Sequence, residues 1–171
     1  MPPDLISPLD PVPASAISAP PCIVTLAERP DLLPLIAQWL RDHHAPHEPL
    51  ARYAAQLARR TSPLGSERCF VLLAGGVPAG TASLTSRGLE SRPELTPWLT
   101  NVFVAPSFRG HGFARRLVVA VETAAHRAAI PVLWLYTRSS EPLYDSLGWH
   151  RAGAETHDGA PVTLMRRDFG A

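Results

Sequence analysis

Several things are scarce in this sequence of 171 residues, and each scarcity narrows what the chain can be. Only two cysteines occur, Cys22 and Cys69, with neither a disulfide framework nor metal-ligand spacing. Cys69 opens an apolar run and is expected to be a small buried hydrophobe. Unbridged thiols fit a reducing compartment, so a cytoplasmic location is expected. No apolar run reaches the ~20 residues of a membrane span, and the N-terminus lacks a basic start followed by an apolar stretch. Neither membrane association nor secretion is expected. There is no excess of charge of one sign either: 16 basic and 15 acidic residues leave a net +1. A dedicated nucleic-acid surface carries a basic excess, so nucleic acid is not an expected partner. With 46% hydrophobic and 18% charged residues, the chain is too apolar for disorder and long enough for one staple-free core.

Proline, by contrast, is abundant near the start. Pro2, Pro3, Pro8, Pro11, Pro13 and Pro20 lie among small residues, which predicts a flexible, extended arm over residues 1–20 and a folded domain over 21–171. Cys22 to Leu26 reads as a short strand. Leu33, Ile36, Ala37 and Leu40 recur at helical spacing, as do Leu50, Tyr53, Ala54 and Leu57. Residues 69–74 form a strand candidate ending at Gly75-Gly76, a hairpin signal, and 81–85 alternate as a half-solvated return strand should. Residues 86–94 read as a loop. Trp98 to Val104 is a strand stopped by Pro106. A helix follows from about Gly112 to Ala129, with Phe113, Leu117, Val121 and Ala124 on one stripe. Residues 132–136 are uninterrupted apolar, which predicts a parallel strand buried on both faces. Strand, helix and strand make a right-handed crossover. A short helix over 140–147 capped by Gly148 and two closing strands, 149–154 and 162–168, complete the pattern. The fold class is therefore α/β, a mostly antiparallel mixed sheet with one parallel β-α-β crossover, flanked by helices.

The turn Arg109-Gly110-His111-Gly112-Phe113-Ala114 carries the most chemistry. A helix N-terminus offers unpaired backbone N–H groups and partial positive charge to an anion, and glycines let an oxyanion approach the main chain. Arg109, Arg115 and Arg116 add cations where they oppose the helix dipole, which a nearby polyanion explains. A purely structural turn with solvated arginines is the competing reading. A dinucleotide fingerprint fails because Arg115 stands where a third small residue belongs and Thr137 where an acid belongs. A P-loop fails because Phe113-Ala114 replaces Lys-Ser/Thr.

The same turn matches the Arg/Gln-x-x-Gly-x-Gly/Ala pattern, and Leu143-Tyr144-Asp145-Ser146-Leu147-Gly148-Trp149 is similar to a Tyr-x-x-Leu-Gly-Phe/Trp block. In that order, separated by a helix and a strand, the two segments resemble the GNAT acyltransferase superfamily over about residues 22–168. The resemblance implies an acetyl-CoA-dependent N-acetyltransferase acting by direct attack in a ternary complex. Its acceptor would be a primary amine of a small molecule or a peptide. A catalytically inactive acyl-CoA-binding sensor is the alternative. The resemblance puts the diphosphate of CoA on the amides of Arg109, Gly110, His111, Gly112, Phe113 and Ala114, and the pantetheine arm beside Val102, Phe103 and Val104. It places a bulge within Asn101–Phe103, Thr137 within side-chain reach of the cofactor, and Tyr144 as general acid. Trp98 stands where relatives carry a basic Glu; it and Asn101 are expected to face the acceptor, with Glu94 acting through water. The cluster His43-His44-His47 lacks a second set of ligands at metal spacing, so no metal is expected. With Trp39 and Tyr53 it could equally line the substrate pocket. The oligomeric state stays open, a homodimer among the options.

Overall fold

The computed structural model describes residues 14–170. The expected proline-rich arm lies outside the described residues up to position 13. Within its last third, Ala14–Ser18 forms a short helix, α1, rather than extended chain. The rest comprises strands β1 (Cys22–Thr25), β2 (Arg68–Ala74), β3 (Val77–Thr85), β4 (Trp98–Val104), β5 (Val132–Thr137), β6 (His150–His157) and β7 (Ala160–Asp168). Helices α2 (Leu33–His44) and α3 (Leu50–Ala58) lie between β1 and β2, α4 (Phe113–Arg127) between β4 and β5, and α5 (Glu141–Asp145) after β5. The strands form one sheet of order β1-β2-β3-β4-β5-β7-β6, antiparallel throughout except for the β4–β5 pair.

The parallel pair is barely a pair. Its register holds a single match, Trp98 with Trp134, together with a hydrogen bond from the Trp134 amide to the Pro97 carbonyl at 3.1 Å. Beyond that point β4 stays with β3 and β5 stays with β7, so the two strands part. The edges of Asn101 to Val104 and of Tyr136 and Thr137 that would have met lie unpaired in mid-sheet. Such an edge exposes a row of unsatisfied N–H and C=O groups to any extended ligand.

Face assignments follow from the register. Gly80, opposite Val104, sits so close to Leu117 of α4 that a Cβ there would meet its Cδ1 at 3.0 Å; this face of the sheet belongs to α4. Thr81 pairs with Phe103 on the other face, where the Trp39 ring of α2 lies 5.4 Å from that of Phe103. Ser83 pairs with Thr100 but Thr81 with Phe103, so β4 carries one extra residue between these points. Asn101 adopts φ 56 there. The bulge falls in the expected Asn101–Phe103 segment. It brings Phe103 to the α2 face and Val104 to the α4 face, a reversal of strict alternation from Trp98.

β5 differs from its expected burial. Leu133 and Leu135 are buried against the α4 side, while Val132, Trp134 and Tyr136 are only half-buried. Its main partner is antiparallel β7, and no helix covers its second face completely. The stripe of α4 follows the expected Phe113, Leu117 and Val121, with Val118 and Ala125 also buried and the expected Ala124 only half-buried. At roughly 1.5–3 kcal/mol for a fully buried large side chain, these contacts hold α4 against the sheet far more firmly than helix propensity would.

Candidate functional site

The turn from β4 to α4 is set by short-range chemistry. Pro106 opens one 3₁₀ turn, Pro106–Phe108, and Phe108 is buried beneath it. Gly110 and Gly112 then take φ 82 and 73, values that side chains with a Cβ rarely adopt. Neither glycine has an atom within 4 Å of where a Cβ would stand. The left-handed backbone is therefore not a packing necessity; the glycines leave the main chain open to approach. Gly112 caps α4 without a side-chain hydrogen bond, so the first amides of a 15-residue helix have no protein acceptor and aim their partial positive charge outward. Arg109 donates its Nε to the Val104 carbonyl at 3.0 Å, which ties the turn to the end of β4. Beside it lies a cavity of about 160 Å³ lined by Val104, Phe108, Arg109, the two glycines, Phe113, Ala114, Arg115 and Leu143. Open glycines, unpartnered amides and a flanking guanidinium fit a diphosphate, and the unpaired β4 edge leading from the turn fits an extended amide-bearing arm.

Tyr144 is buried, with 7% of its surface exposed. Its ring meets Trp149 edge-on at 6.0 Å, and loss of hydration pushes its hydroxyl up to about 12. Among the described residues that hydroxyl has no hydrogen-bond partner. Trp149 is in turn fixed by α4: its Nε1 donates to Glu122 Oε1 at 2.6 Å. Burial raises the Glu122 carboxyl, against the lowering effect of the Trp149 bond and of Arg167 and Arg115. Arg115 in the first turn of α4 donates to Ser146 Oγ at 3.0 Å. The helix that the glycine turn opens thus also holds the segment carrying Tyr144. Sequence reading missed Glu122, because nothing local marks it; only the packing of α4 against Trp149 does. Glu122→Ala should lower unfolding stability by about 1–3 kcal/mol through an orphaned buried indole N–H, while Glu122→Gln keeps an acceptor and most of the stability. Urea denaturation of the two variants checks this.

The remaining expected site residues divide. Thr137 uses its hydroxyl as acceptor for the Ser140 amide at 3.0 Å; that oxygen closes the turn into α5. Trp98 needs correction as an acceptor contact. It is fully buried with Leu89, Val162 and Leu164, and its Nε1 donates to the Leu95 carbonyl at 2.6 Å. The loop expected over 86–94 folds onto it, and Gly88 lies so close that a Cβ would fall 2.2 Å from the indole. Glu94 is exposed and engages Arg92 Nε at 2.6 Å; that guanidinium holds its carboxyl below the usual range, the wrong direction for a proton acceptor. Asn101 stands in the bulge, beside the gap.

On the α2 face of the gap other groups converge. His43 lies 5.2 Å from the Phe103 ring and 4.8 Å from that of His44. His44 keeps part of its surface in water, but protein packs around its ring. This burial, followed by His43, His157 and Arg138, lowers its pKa to about 4. The imidazole is therefore neutral at pH 7. No group of three metal-ligating side chains occurs among the described residues, nor is any helix there long and apolar enough to cross a membrane.

Comparison with known proteins agrees with this geometry. Residues 33–149 match the model of the acetyltransferase (GNAT) family. A protein described as an N-acetyltransferase in the hisH-hisA intergenic region of Azospirillum brasilense is 43% identical over 74 residues, 42% of this chain and 44% of that protein. The chain thus spans under half the length of that relative. Among solved structures, a putative acetyltransferase of Salmonella typhimurium, yncA, determined with acetyl-CoA, superposes with a TM-score of 0.68 at 20% identity, covering 86% of this chain and 93% of that one. A spermidine N-acetyltransferase, a chimera of SpeG from Vibrio cholerae and hSSAT, gives 0.66 at 20% identity, over 88% and 96%. At these identities the likeness is one of fold. The family model covers more than half of the chain and takes in both the glycine turn and the Tyr144 segment, and the chain belongs to the acetyltransferase (GNAT) family.

Proposed function

We propose that this protein transfers the acetyl group of acetyl-CoA to a primary amine by direct attack while both substrates are bound, its catalytic domain spanning residues 21–171. It is an acetyl-CoA-dependent N-acetyltransferase. The observation that carries this reading is the Arg109–Ala114 turn, with two glycines open to the main chain at the head of α4 and an unpaired β4 edge leading away from it. In this assignment the amides from Arg109 to Ala114 hold the diphosphate, and Val102, Phe103 and Val104 hydrogen-bond the pantetheine arm as an added strand would. A β4 amide at the bulge receives the oxyanion of the attacked carbonyl, and Tyr144 protonates the departing thiolate.

The acceptor is an amine of a small molecule or a peptide. One solved relative is named for spermidine and another for the 6′-amine of aminoglycosides; both are amines, and they define the first compounds to try. Free thiols, Cys22 exposed and Cys69 buried, support a reducing, cytoplasmic setting. The test is thiol release from acetyl-CoA across polyamines, aminoglycosides, amino acids and peptides, read beside the heat stability of the protein with and without CoA. The chain contains no lysine, so acetylation of its own side-chain amines adds no background. Release with at least one amine is expected. Protection by CoA with no release in any pairing would favour the inactive sensor, and no protection at concentrations far above a micromolar Kd would overturn cofactor binding.

A further inference from the structure

An alkylammonium, with pKa about 10.4 in a lysine-like amine, must lose a proton before it can attack a thioester. The strand position where a carboxylate was sought holds Trp98, sealed in the core, and Glu94 is committed to Arg92. A different group stands on the α2 face. Tyr136 of β5 is two residues past the Trp98–Trp134 match, level with Thr100 and just short of the bulge at Asn101. Its hydroxyl lies 3.2 Å from His157 Nε2, with the rings 4.8 Å apart. The same Nε2 is 3.3 Å from Asp158 Oδ2, and Arg138 Nη2 donates to the His157 carbonyl at 3.4 Å.

The Tyr136 oxygen can accept from Nε2–H or donate to a bare Nε2; with the hydrogen on Nε2 the lone pair falls on Nδ1. Among the described residues Nδ1 has no hydrogen bond. A half-buried imidazole, held by the Tyr136 phenol on one nitrogen with a carboxylate nearby and, in that tautomer, free on the other nitrogen, is the arrangement a general base requires.

We propose that His157 is the general base of acetyl transfer. This rests on the amine-acetylation reading above. Nδ1 takes one proton from the acceptor ammonium, and the freed nitrogen lone pair forms the new C–N bond to the acetyl carbonyl. The C–S bond then breaks with its electron pair on sulfur, and that sulfur takes the Tyr144 proton. The proton still on the new amide nitrogen returns through water to the Tyr144 oxygen, and His157 releases its own proton to solvent. Ammonium and thioester become amide, thiol and one proton. The groups around the imidazole are Tyr136 from β5, Arg138 directly after that strand, Asp158 from the β6–β7 turn, His44 from α2, and Tyr53 of α3 beside Asp158; Glu90 of the loop after β3 acts on Tyr136.

The test uses the full chain, acetyl-CoA and two kinds of nucleophile: the alkylamine turned over best in the screen, and hydroxylamine, already neutral at pH 7. His157→Gln should lower kcat/KM for the alkylamine on the order of 100-fold at pH 7 and abolish the acidic limb of its pH profile. The rate with hydroxylamine should change less than about 3-fold, and acetyl-CoA affinity by calorimetry should hold. Asp158→Asn, which keeps the shape of the turn, should give a smaller loss, on the order of 10-fold. Independently of turnover, long-range proton–nitrogen NMR spectra of the wild type should show the Nε2–H tautomer at His157. An unchanged alkylamine rate in His157→Gln, an equal loss with both nucleophiles, or an Nδ1–H tautomer overturns the assignment while leaving amine acetylation intact. No thiol release by the wild type with any amine overturns both.

Discussion

Tyr144→Phe is expected to lower turnover on the order of 100-fold or more while acetyl-CoA affinity stays within about 2-fold of wild type. The phenylalanine ring preserves the edge-on packing with Trp149 at 6.0 Å and removes only the oxygen, which has no hydrogen-bond partner among the described residues. Stability should therefore change little, and the loss should fall in kcat. Burial pushes this phenol up to about 12, so it stays protonated throughout any practical assay range. Ionisation of Tyr144 will contribute no fall in activity until the pH approaches that value. A phenol this weakly acidic could look like a poor donor to a thiolate. In the proposed assignment a thiol held against Tyr144 would be desolvated as well, and burial penalises whichever group carries the charge. Steady-state kinetics with calorimetric cofactor binding separates the outcomes: unchanged kcat removes Tyr144 from the chemistry, and a loss in affinity alone makes it a binding residue.

Gly112→Asp should affect the other half of the site by a comparable factor, with the opposite pattern. No atom lies within 4 Å of the Cβ this change would add, and aspartate tolerates a left-handed backbone better than most residues. Its charge at the head of α4 is favourable to the helix by about 0.3–1 kcal/mol. The folded protein should thus keep its Tm within a few degrees. The carboxylate would, however, occupy the space in front of the amides and repel the diphosphate. Losing charge-assisted hydrogen bonds of about 1.5–3 kcal/mol implies an acetyl-CoA affinity lower on the order of 10- to 100-fold. The readout is the rise in Tm with added acetyl-CoA, large in wild type and nearly absent in the variant. An equal rise in both would place the diphosphate elsewhere.

Legibility followed the range of the interactions. The bounds of β4 and the stripe of α4 were readable because period, proline and glycine act over a few residues. The glycine turn could be read as an anion cradle for the same reason: amides at a helix start, and backbone opened by Gly110 and Gly112, depend on local dihedrals. Trp98 was misjudged because its fate depends on a loop: Gly88, Leu89 and Leu95 close over it. β5 was expected to be buried on both faces because an apolar run does not reveal which side is covered. Glu122 carried no local signal at all; its role arises where Trp149, 27 residues further on, donates to it.

Taken alone, the chain's sequence determined the order of elements, the one crossover and the glycine bend at the head of α4, since each is encoded within a turn or two of backbone. Tertiary structure decided which side chains line the gap between β4 and β5. A single extra residue at Asn101 reversed which β4 side chains meet α2, the parting of β4 from β5 opened the slot, and β6–β7 pairing carried His157 to Tyr136, 21 residues away in sequence. Such neighbours are set by register between strands, and register is a property of the assembled sheet.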